Sequence, residues 1–198
     1  MFRFDVINLI LEKYRLNSYL EIGIFNGENI SKINAEIKHG VDPGHEGFLS
    51  SYVTHKCTSD AFFSNLNSEV KYDAIFIDGL HHANQVLKDI VNSFKHLSSN
   101  GYLILHDCIP ASYEAQLVPR QTAEWTGDVW RAFLGFRKAN QHFLSYTVDT
   151  DWGIGVIKNT GQHSLNEFNI SDISYDDFVN DKQNLLNIIS IEDFKNIL

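Results

Sequence analysis

Short apolar runs alternate with amphipathic segments through the first half of the chain. One run covers residues 19–24, and others lie at 39–42, 53–58, 72–77 and 102–105. Runs of this length are typical of strands buried on both faces. Between them, over 30–37 and 83–97, apolar residues recur every three or four positions, which predicts helices. Strands and helices that alternate in this way predict a parallel sheet with helices on both faces.

Further elements are predicted on either side of this core. Residues 1–14 carry five apolar side chains on one helical face, Val6, Ile7, Ile10, Leu11 and Tyr14. Another helix opens at 127–133, and strands at 142–148 and 152–158 are joined by a turn at 149–151. Ser174, with Asp177 three residues later, predicts the start of a helix that continues to residue 189. Residues 190–193 begin a last short helix, and 45–52 is predicted to be a loop with a helical turn.

One long segment, residues 109–126, has no regular pattern. Long loops at the ligand end of a sheet are commonly lids or binding loops, so we expect a lid here. At 198 residues the chain suits one domain with a full hydrophobic core. We therefore expect a single domain over 1–198, with a core at about 17–158, this lid, and a helical tail at about 174–198.

Glycine interrupts the first strand at Gly23 and returns at Gly27. Glycine allows a sharp turn and the close approach of a ligand, and the helix that follows offers unpaired N–H groups. About twenty residues later, Asp42 ends the next strand, where a carboxylate can accept both hydroxyls of a ribose. A dinucleotide fingerprint would require glycine at position 25, which is Phe25, so an oxidoreductase that binds NAD or FAD is excluded. A tight turn in any Rossmann-like domain is the other interpretation.

Composition removes several classes of function. A net charge of −9 repels a phosphate backbone, so nucleic acid is not expected as a partner. No apolar run is long enough to cross a membrane, and charges at Arg3 and Asp5 interrupt any signal-peptide core. We therefore expect a cytoplasmic protein. Cys57 and Cys108 have no metal-binding spacing, and we expect both to be reduced.

Polar side chains gather at the predicted carboxyl ends of the strands, where ligands bind in such sheets. Besides the glycine turn and Asp42, these are Ser59, Asp60, Asp78, His81, His106 and Asp107. Carboxylates that leave adjacent strands can converge on one divalent ion, and oxygen ligands favour magnesium, calcium or manganese. Asp78 and Asp107 are thus metal candidates, and His106, Cys108 and His81 are the alternatives for a further ligand, with His106 taken as the third. Three other interpretations stay open: Ser59 and Asp60 cap a helix, Asp78 caps the helix near residue 83, and His81 bonds a neighbouring loop.

The stretch YLEIGIFNGEN, residues 19–29, resembles motif I of the class I S-adenosylmethionine (SAM) methyltransferases. The resemblance implies that the glycine turn holds the methionine end of SAM and that Asp42 binds its ribose. It also implies that the loop at Ser59 and Asp60 contacts the adenine, and that a closing antiparallel strand completes the sheet. The cofactor-binding residues implied are Glu21, Gly23, Asn26, Gly27, Asp42, Ser59, Asp60 and Asp78.

Four later runs resemble a subgroup of small-molecule O-methyltransferases. FIDGLHHANQVLKDI, GYLILHDC, GDVWRAF and DTDWGIGVI are similar to the macrocin O-methyltransferase type and to uncharacterised members linked to sugar and polysaccharide genes. Metal-dependent relatives hold magnesium with an acid that Asp78 matches and an acidic pair of which only Asp107 is present. His81 lies where some relatives place the general base, and a neutral imidazole suits that role.

Together these observations predict a Rossmann-like α/β fold with a mostly parallel seven-stranded sheet and one closing antiparallel strand. The predicted activity is transfer of a methyl group from SAM to a hydroxyl of a small molecule, such as a sugar or glycosylated metabolite. His81, Asp78 and Asp107 are the catalytic candidates. The alternative is a SAM- or nucleotide-binding domain without catalysis, used in assembly or regulation, which the missing second acid favours. The acceptor, the need for Mg²⁺ and the choice between monomer and homo-oligomer stay open.

Overall fold

A seven-stranded sheet forms the centre of the fold, in the order β2-β1-β3-β4-β6-β5-β7. The computed structural model describes residues 1–44 and 49–198. Within them the strands are β1 (Ser18–Ile22), β2 (Ile37–Val41), β3 (Tyr72–Ile77), β4 (Leu97–Leu105), β5 (Leu144–Val148), β6 (Ile154–Lys158) and β7 (Ile188–Ile189). Six of these strands are parallel, and β6 runs antiparallel between β4 and β5. The predicted sheet is therefore present.

Helices cover both faces of the sheet. They are α1 (Arg3–Tyr14), α2 (Glu28–Ser31), α3 (Ser59–Asn65), α4 (Ala83–His96), α5 (Val129–Ala139), α6 (Tyr175–Leu185) and α7 (Ile191–Ile197), with a 3-10 helix at Glu114–Gln116. Alternate residues of β3 divide between two cores: Ile75 packs with α3, α4, α5 and α6, whereas Phe76 packs with α1, α2 and α7. The predicted apolar face of α1 is buried in the second core. In the described ranges, no helix is both long and apolar enough to cross a membrane.

The prediction of a strand at 53–58 is wrong. In this segment only His55 bridges to the sheet, through Val41. The hydroxyl of Thr54 accepts a hydrogen bond from the backbone N–H of Gly40 at 3.0 Å. This N–H is therefore not available for the backbone hydrogen bonds of a longer strand pair with β2. The loop predicted at 45–52 lies partly outside the described residues.

Two predicted helices are shorter than expected. The helix predicted over 30–37 ends at Ser31, and Ile37 begins β2. The amide of Asn8 bonds the carbonyl oxygen of Lys32 and the backbone N–H of Asn34, which fixes a turn after α2.

The helix predicted over 174–189 stops at Leu185. Asn187 takes a left-handed φ of 48°, and its amide donates to the carbonyl oxygen of Ser145. The next two residues then pair with β5 as β7. The N-terminus is as predicted, because the Ser174 hydroxyl accepts from the backbone N–H of Asp177.

The carboxyl ends of β1, β3 and β4 lie side by side in this order and direct their loops to one edge of the sheet. Gly23, just after β1, has a φ of +88°, and a Cβ added there would overlap the carbonyl group of Asp78. The loop after β1 therefore packs directly on the loop after β3. This contact explains the need for glycine at position 23 better than room for a ligand does.

Candidate active site

The glycine turn is held in place by Asp42. One carboxylate oxygen of Asp42 accepts the backbone N–H groups of Ile24 at 2.9 Å and Phe25 at 3.0 Å, and the other accepts that of Gly44 at 2.7 Å. Phe25, whose side chain is 74% exposed, has a left-handed φ of 44°. Asp42 thus shapes the turn from the end of β2, where a ribose was expected to bind. The turn is formed by the protein's own contacts.

Glu21 lies beneath the turn and is almost fully buried, with 1% of its surface exposed. Its carboxylate accepts hydrogen bonds from the Tyr19 hydroxyl and, at 2.7 Å, from the Asn29 amide. Burial raises the pKa of Glu21 to about 7, and these two hydrogen bonds only partly oppose that effect. The residue predicted to touch the cofactor is therefore enclosed by protein.

The second glycine of the motif also meets protein. A Cβ at Gly27 would overlap the side chains of Ser50 and Tyr52. Asn26 accepts the backbone N–H of Glu28 at 2.9 Å through its side chain, which stabilises the start of α2. Both residues hold the chain in the conformation that brings the turn to the sheet edge.

Ser59 and Asp60 fasten α3 to α4. The amide of Gln85 donates to the Ser59 hydroxyl at 3.2 Å and to the Asp60 carboxylate at 3.1 Å. The capping role considered for the pair belongs to the residue before it, because the hydroxyl of Thr58 accepts the backbone N–H of Ala61. Asp60 keeps half of its side-chain surface exposed.

The loops after β3 and β4 bring four ionisable side chains together. Nε2 of His81 lies 3.4 Å from Asp78, and Nδ1 of the same ring lies 3.1 Å from Asp107. Nδ1 of His106 lies 3.2 Å from each of these two carboxylates. Asp107 has a φ of 60°, which lets it and the preceding His106 both face the cluster. Strict strand alternation would have allowed only one of them to do so.

Two further members of the cluster were not predicted. Nη1 of Arg3, on α1, lies 3.1 Å from Asp151, and its Nε lies 3.8 Å from Asp78. Asp151, in the turn between β5 and β6, also lies 3.6 Å from Nε2 of His106. The sequence signal for Arg3 was its charge alone, in a chain with 16 Lys and Arg residues, and that for Asp151 was its place in the run DTDWGIGVI.

Charge pairing dominates the titration of this cluster. Burial alone would raise the pKa of Asp78, but the charge and hydrogen bond of His106 and the hydrogen bond of His81 hold it well below its usual value. Burial would likewise lower the pKa of both histidines. Asp78 and Asp107 outweigh that effect and raise the pKa of His81, and they raise that of His106 well above its usual value. Burial would raise the pKa of Asp151, but hydrogen bonds from His106 and from the backbone N–H of Arg3 outweigh it and lower this pKa to about 2.

The predicted lid segment contacts the cluster through Trp125. Its indole ring stacks on the imidazole of His81, with ring centroids 5.2 Å apart and planes 21° apart. Its N–H donates to the carbonyl oxygen of Leu117 at 2.7 Å, which ties the end of the segment to its middle. Trp125 therefore covers one face of His81.

A cleft of about 440 Å³ opens between this segment and the tail. Its walls combine aromatic, amide and charged side chains, from Tyr113, Gln116, Asp128, Arg131, Tyr175 and Asp176 among others. The cleft adjoins the His81 loop, because the backbone N–H of Asp128 donates to the His81 carbonyl oxygen at 3.3 Å.

The donors for a metal converge but fit magnesium poorly. One ligand atom from each of Asp78, His81 and Asp107 lies within 4.8 Å of the others. Magnesium, however, requires near-octahedral oxygen ligands at about 2.1 Å. Here both carboxylates instead share the Nδ1 atom of His106. The predicted third ligand therefore lies between the two acids.

The structure thus separates the predicted site residues into groups. Asp78, His81, His106 and Asp107 meet in one cluster, beside Gly23. Asp42 and Asn26 shape the turn next to it. Ser59 and Asp60 contact α4 instead, through Gln85. Cys108 is buried and Cys57 half-buried, and both are free thiols as expected.

Comparisons with known proteins agree with this architecture. The sequence profile of a family described as a methyltransferase domain matches residues 20–108. A candidate O-methyltransferase from Klebsiella pneumoniae is similar in structure, with a TM-score of 0.61 and 14% identity over 79% of each chain. The O-methyltransferase TomG from Streptomyces achromogenes, in complex with SAM, has a TM-score of 0.58 and 12% identity over 80% of each chain. No curated protein sequence matches.

An O-methyltransferase from Bacillus cereus, in complex with SAH, covers 79% of this chain and 80% of its own, with a TM-score of 0.55 and 11% identity. These structures confirm the predicted Rossmann-like fold of class I methyltransferases. The profile match over residues 20–108 supports the prediction of a methyltransferase domain.

Proposed function

We propose that the protein transfers the methyl group of SAM to a hydroxyl of a small molecule, with His81 as the general base. The observation that carries this proposal is the position of the His81 ring. It lies between the carboxylates of Asp78 and Asp107, at the sheet edge where the glycine turn ends. An imidazole oriented by two carboxylates and stacked on Trp125 is positioned for proton transfer.

SAM fits the residues at this edge. A carboxylate ends β2 at Asp42, and the glycine turn beside it is already formed, so binding would not have to pay for ordering the turn. We infer that Asp42, Asn26 and the backbone of Gly23 and Gly27 bind the cofactor, while Glu21 supports the turn from below. Asp60 is half exposed and suits a contact with the adenine.

Bound SAM supplies an electrophilic methyl group on a positively charged sulfur. The chain's task is to hold the acceptor hydroxyl in line with that methyl group and to take its proton. As the hydroxyl oxygen received the methyl group, His81 would accept the hydroxyl proton on Nε2, and Asp78, 3.4 Å from that atom, would stabilise the imidazolium. Asp107 orients the ring through Nδ1. No step of this mechanism requires a metal ion, and the two carboxylates that converge with His81 already contact His106.

The proposed acceptor is a sugar or a glycosylated metabolite. The cleft beside the His81 loop is large enough for such a molecule, at about 440 Å³. Its tyrosine rings suit stacking, and its carboxylate, amide and guanidinium groups suit the hydroxyls of a sugar.

Calorimetry and methyl-transfer assays test the proposal in sequence. S-adenosylhomocysteine should bind, and Asp42→Ala should weaken its binding by about 1–3 kcal/mol through lost hydrogen bonds. His81→Ala should reduce methyl transfer by about a hundredfold, the usual contribution of a positioned base, with little change in cofactor affinity.

The neighbouring His82 provides a matched control. Its side chain contacts Trp125 edge-on at 6.0 Å, outside the carboxylate cluster, so His82→Ala should retain most of the activity. Equal loss in both variants would contradict the role of His81. Cofactor binding without methyl transfer to any of a panel of sugars would favour the non-catalytic alternative instead.

A further inference from the structure

We propose that Arg3 and His106 take the place of a divalent metal ion in this site, so that the proposed methyl transfer proceeds without one. Only the statement about methyl transfer rests on the proposed function. The test of the inference, metal binding, is independent of SAM and of any acceptor. The argument has two parts, one about charge and one about space.

Three carboxylates meet at the cluster, from Asp78, Asp107 and Asp151. Arg3 supplies a permanent positive charge among them, because a guanidinium does not lose its proton in proteins. Its Nη1 lies 3.1 and 3.3 Å from the two oxygens of Asp151, and its backbone N–H donates to the same carboxylate at 2.8 Å. The Asp151 side chain is only 3% exposed, so the pair is well shielded from water.

The same guanidinium reaches the centre of the cluster. Its Nε lies 3.8 Å from Asp78, and its Nη1 lies 3.4 Å from Nε2 of His106. An incoming divalent cation bound to Asp78 would therefore lie beside a fixed positive charge. Coulomb repulsion at such distances weakens metal binding considerably, even at the high dielectric of a protein surface.

The ring of His106 lies beside the two carboxylates that a bridging metal ion would use. Its Nδ1 lies 3.2 Å from an oxygen of Asp78 and 3.2 Å from an oxygen of Asp107. A magnesium ion bound about 2.1 Å from each of these two oxygens would have to displace the contacts that they make with the ring nitrogen. The ring is also confined on its far side, where Nε2 lies 3.6 Å from Asp151. The ring in this position and a bridging ion therefore compete for the same two carboxylate oxygens.

Electron paramagnetic resonance of Mn²⁺ tests the proposal on the full chain. The wild-type protein should not bind Mn²⁺ at millimolar concentration. Arg3→Met keeps an unbranched side chain and removes its charge, and should bind Mn²⁺ at least about tenfold more tightly. His106→Asp replaces the ring by a further carboxylate and should create a site of clearly higher affinity.

Two matched variants exclude general effects. Arg3→Lys keeps the positive charge and should bind Mn²⁺ no better than the wild type. Lys13→Met removes one positive charge from an exposed position on the same helix and should also leave metal binding unchanged.

Tight binding of Mn²⁺ by the wild type would overturn the proposal, as would the absence of any gain in both Arg3→Met and His106→Asp. If Arg3→Met fails to fold, His106→Asp and the wild-type titration still decide the question. Failure of methyl transfer, in contrast, would overturn the proposed function and leave these metal measurements unaffected.

Discussion

Glu21→Gln should change how stability depends on pH. Glu21 is 1% exposed, and its carboxylate contacts the Tyr19 hydroxyl and the Asn29 amide. Burial raises its pKa from 4.5 to about 7. Between these two values the folded protein holds a proton that the unfolded chain has released. The free energy of unfolding must therefore fall as pH rises through this window.

The magnitude follows from the two pKa values. At about 1.4 kcal/mol for each pKa unit, the full effect is about 3 kcal/mol, of which about 2.5 kcal/mol falls between pH 5 and pH 8. The contribution is fully present below pH 4.5 and is lost above pH 7. Glutamine has nearly the same shape and no charge, so the variant should lack this dependence.

Urea denaturation at pH 5 and pH 8 measures the effect. From pH 5 to pH 8, the free energy of unfolding of Glu21→Gln should rise by about 2–3 kcal/mol relative to that of the wild type. Glu12→Gln removes a carboxylate from an exposed position and should keep the wild-type profile. A relative gain below about 0.5 kcal/mol for Glu21→Gln, which is within the error of extrapolation, would refute the burial argument.

Two other outcomes follow from the same region. Gly23→Ala should lower the free energy of unfolding by about 2–3 kcal/mol or prevent folding, because the new Cβ would overlap the Asp78 carbonyl group and the backbone has a φ of +88°. A loss below about 1 kcal/mol in urea denaturation would contradict the close packing of the two loops. The methyl-transfer rate should increase with pH through a midpoint above 6.5, because the raised pKa of His81 keeps the proposed base protonated below it. A rate profile with its midpoint at or below 6.5 would count against His81.

Local patterns in the sequence predict the buried strands and longer helices well. The apolar run at 72–77 is β3, and the periodic segment at 83–97 is α4 to within one residue. Both signals are local, because a strand buried on two faces and an amphipathic helix each carry their burial in their own residues.

Elements that depend on distant partners could not be predicted. Residues 53–58 have the composition of a strand, but the side chain of Thr54 occupies the backbone donor of Gly40. Ile188 and Ile189 continue a helical pattern in the sequence, but they form strand β7 because they pair with β5. In each case a contact far along the chain overrides a local preference.

Part of the candidate site could likewise be predicted from local patterns, and part depends on distant contacts. Asp78, His81 and Asp107 follow recognisable strands, so parallel topology alone predicts that they meet. Arg3 and Asp151 are separated by 148 positions and come from a helix and a hairpin turn outside the parallel core. Nothing around Arg3 distinguishes it from other charged residues, and the run DTDWGIGVI that contains Asp151 does not indicate this contact, so only the packed structure brings the two residues together.

The two-residue strand β7 has a consequence for aggregation. An unpaired sheet edge can recruit a strand from another molecule, and long edges are the most dangerous. Without β7, the edge would be the five-residue strand β5, which is mostly buried and rich in residues with high β-propensity. Ile188 and Ile189 cover part of it and leave an edge too short to template much further pairing. The C-terminal tail thus covers part of a sheet edge with which another chain could otherwise pair.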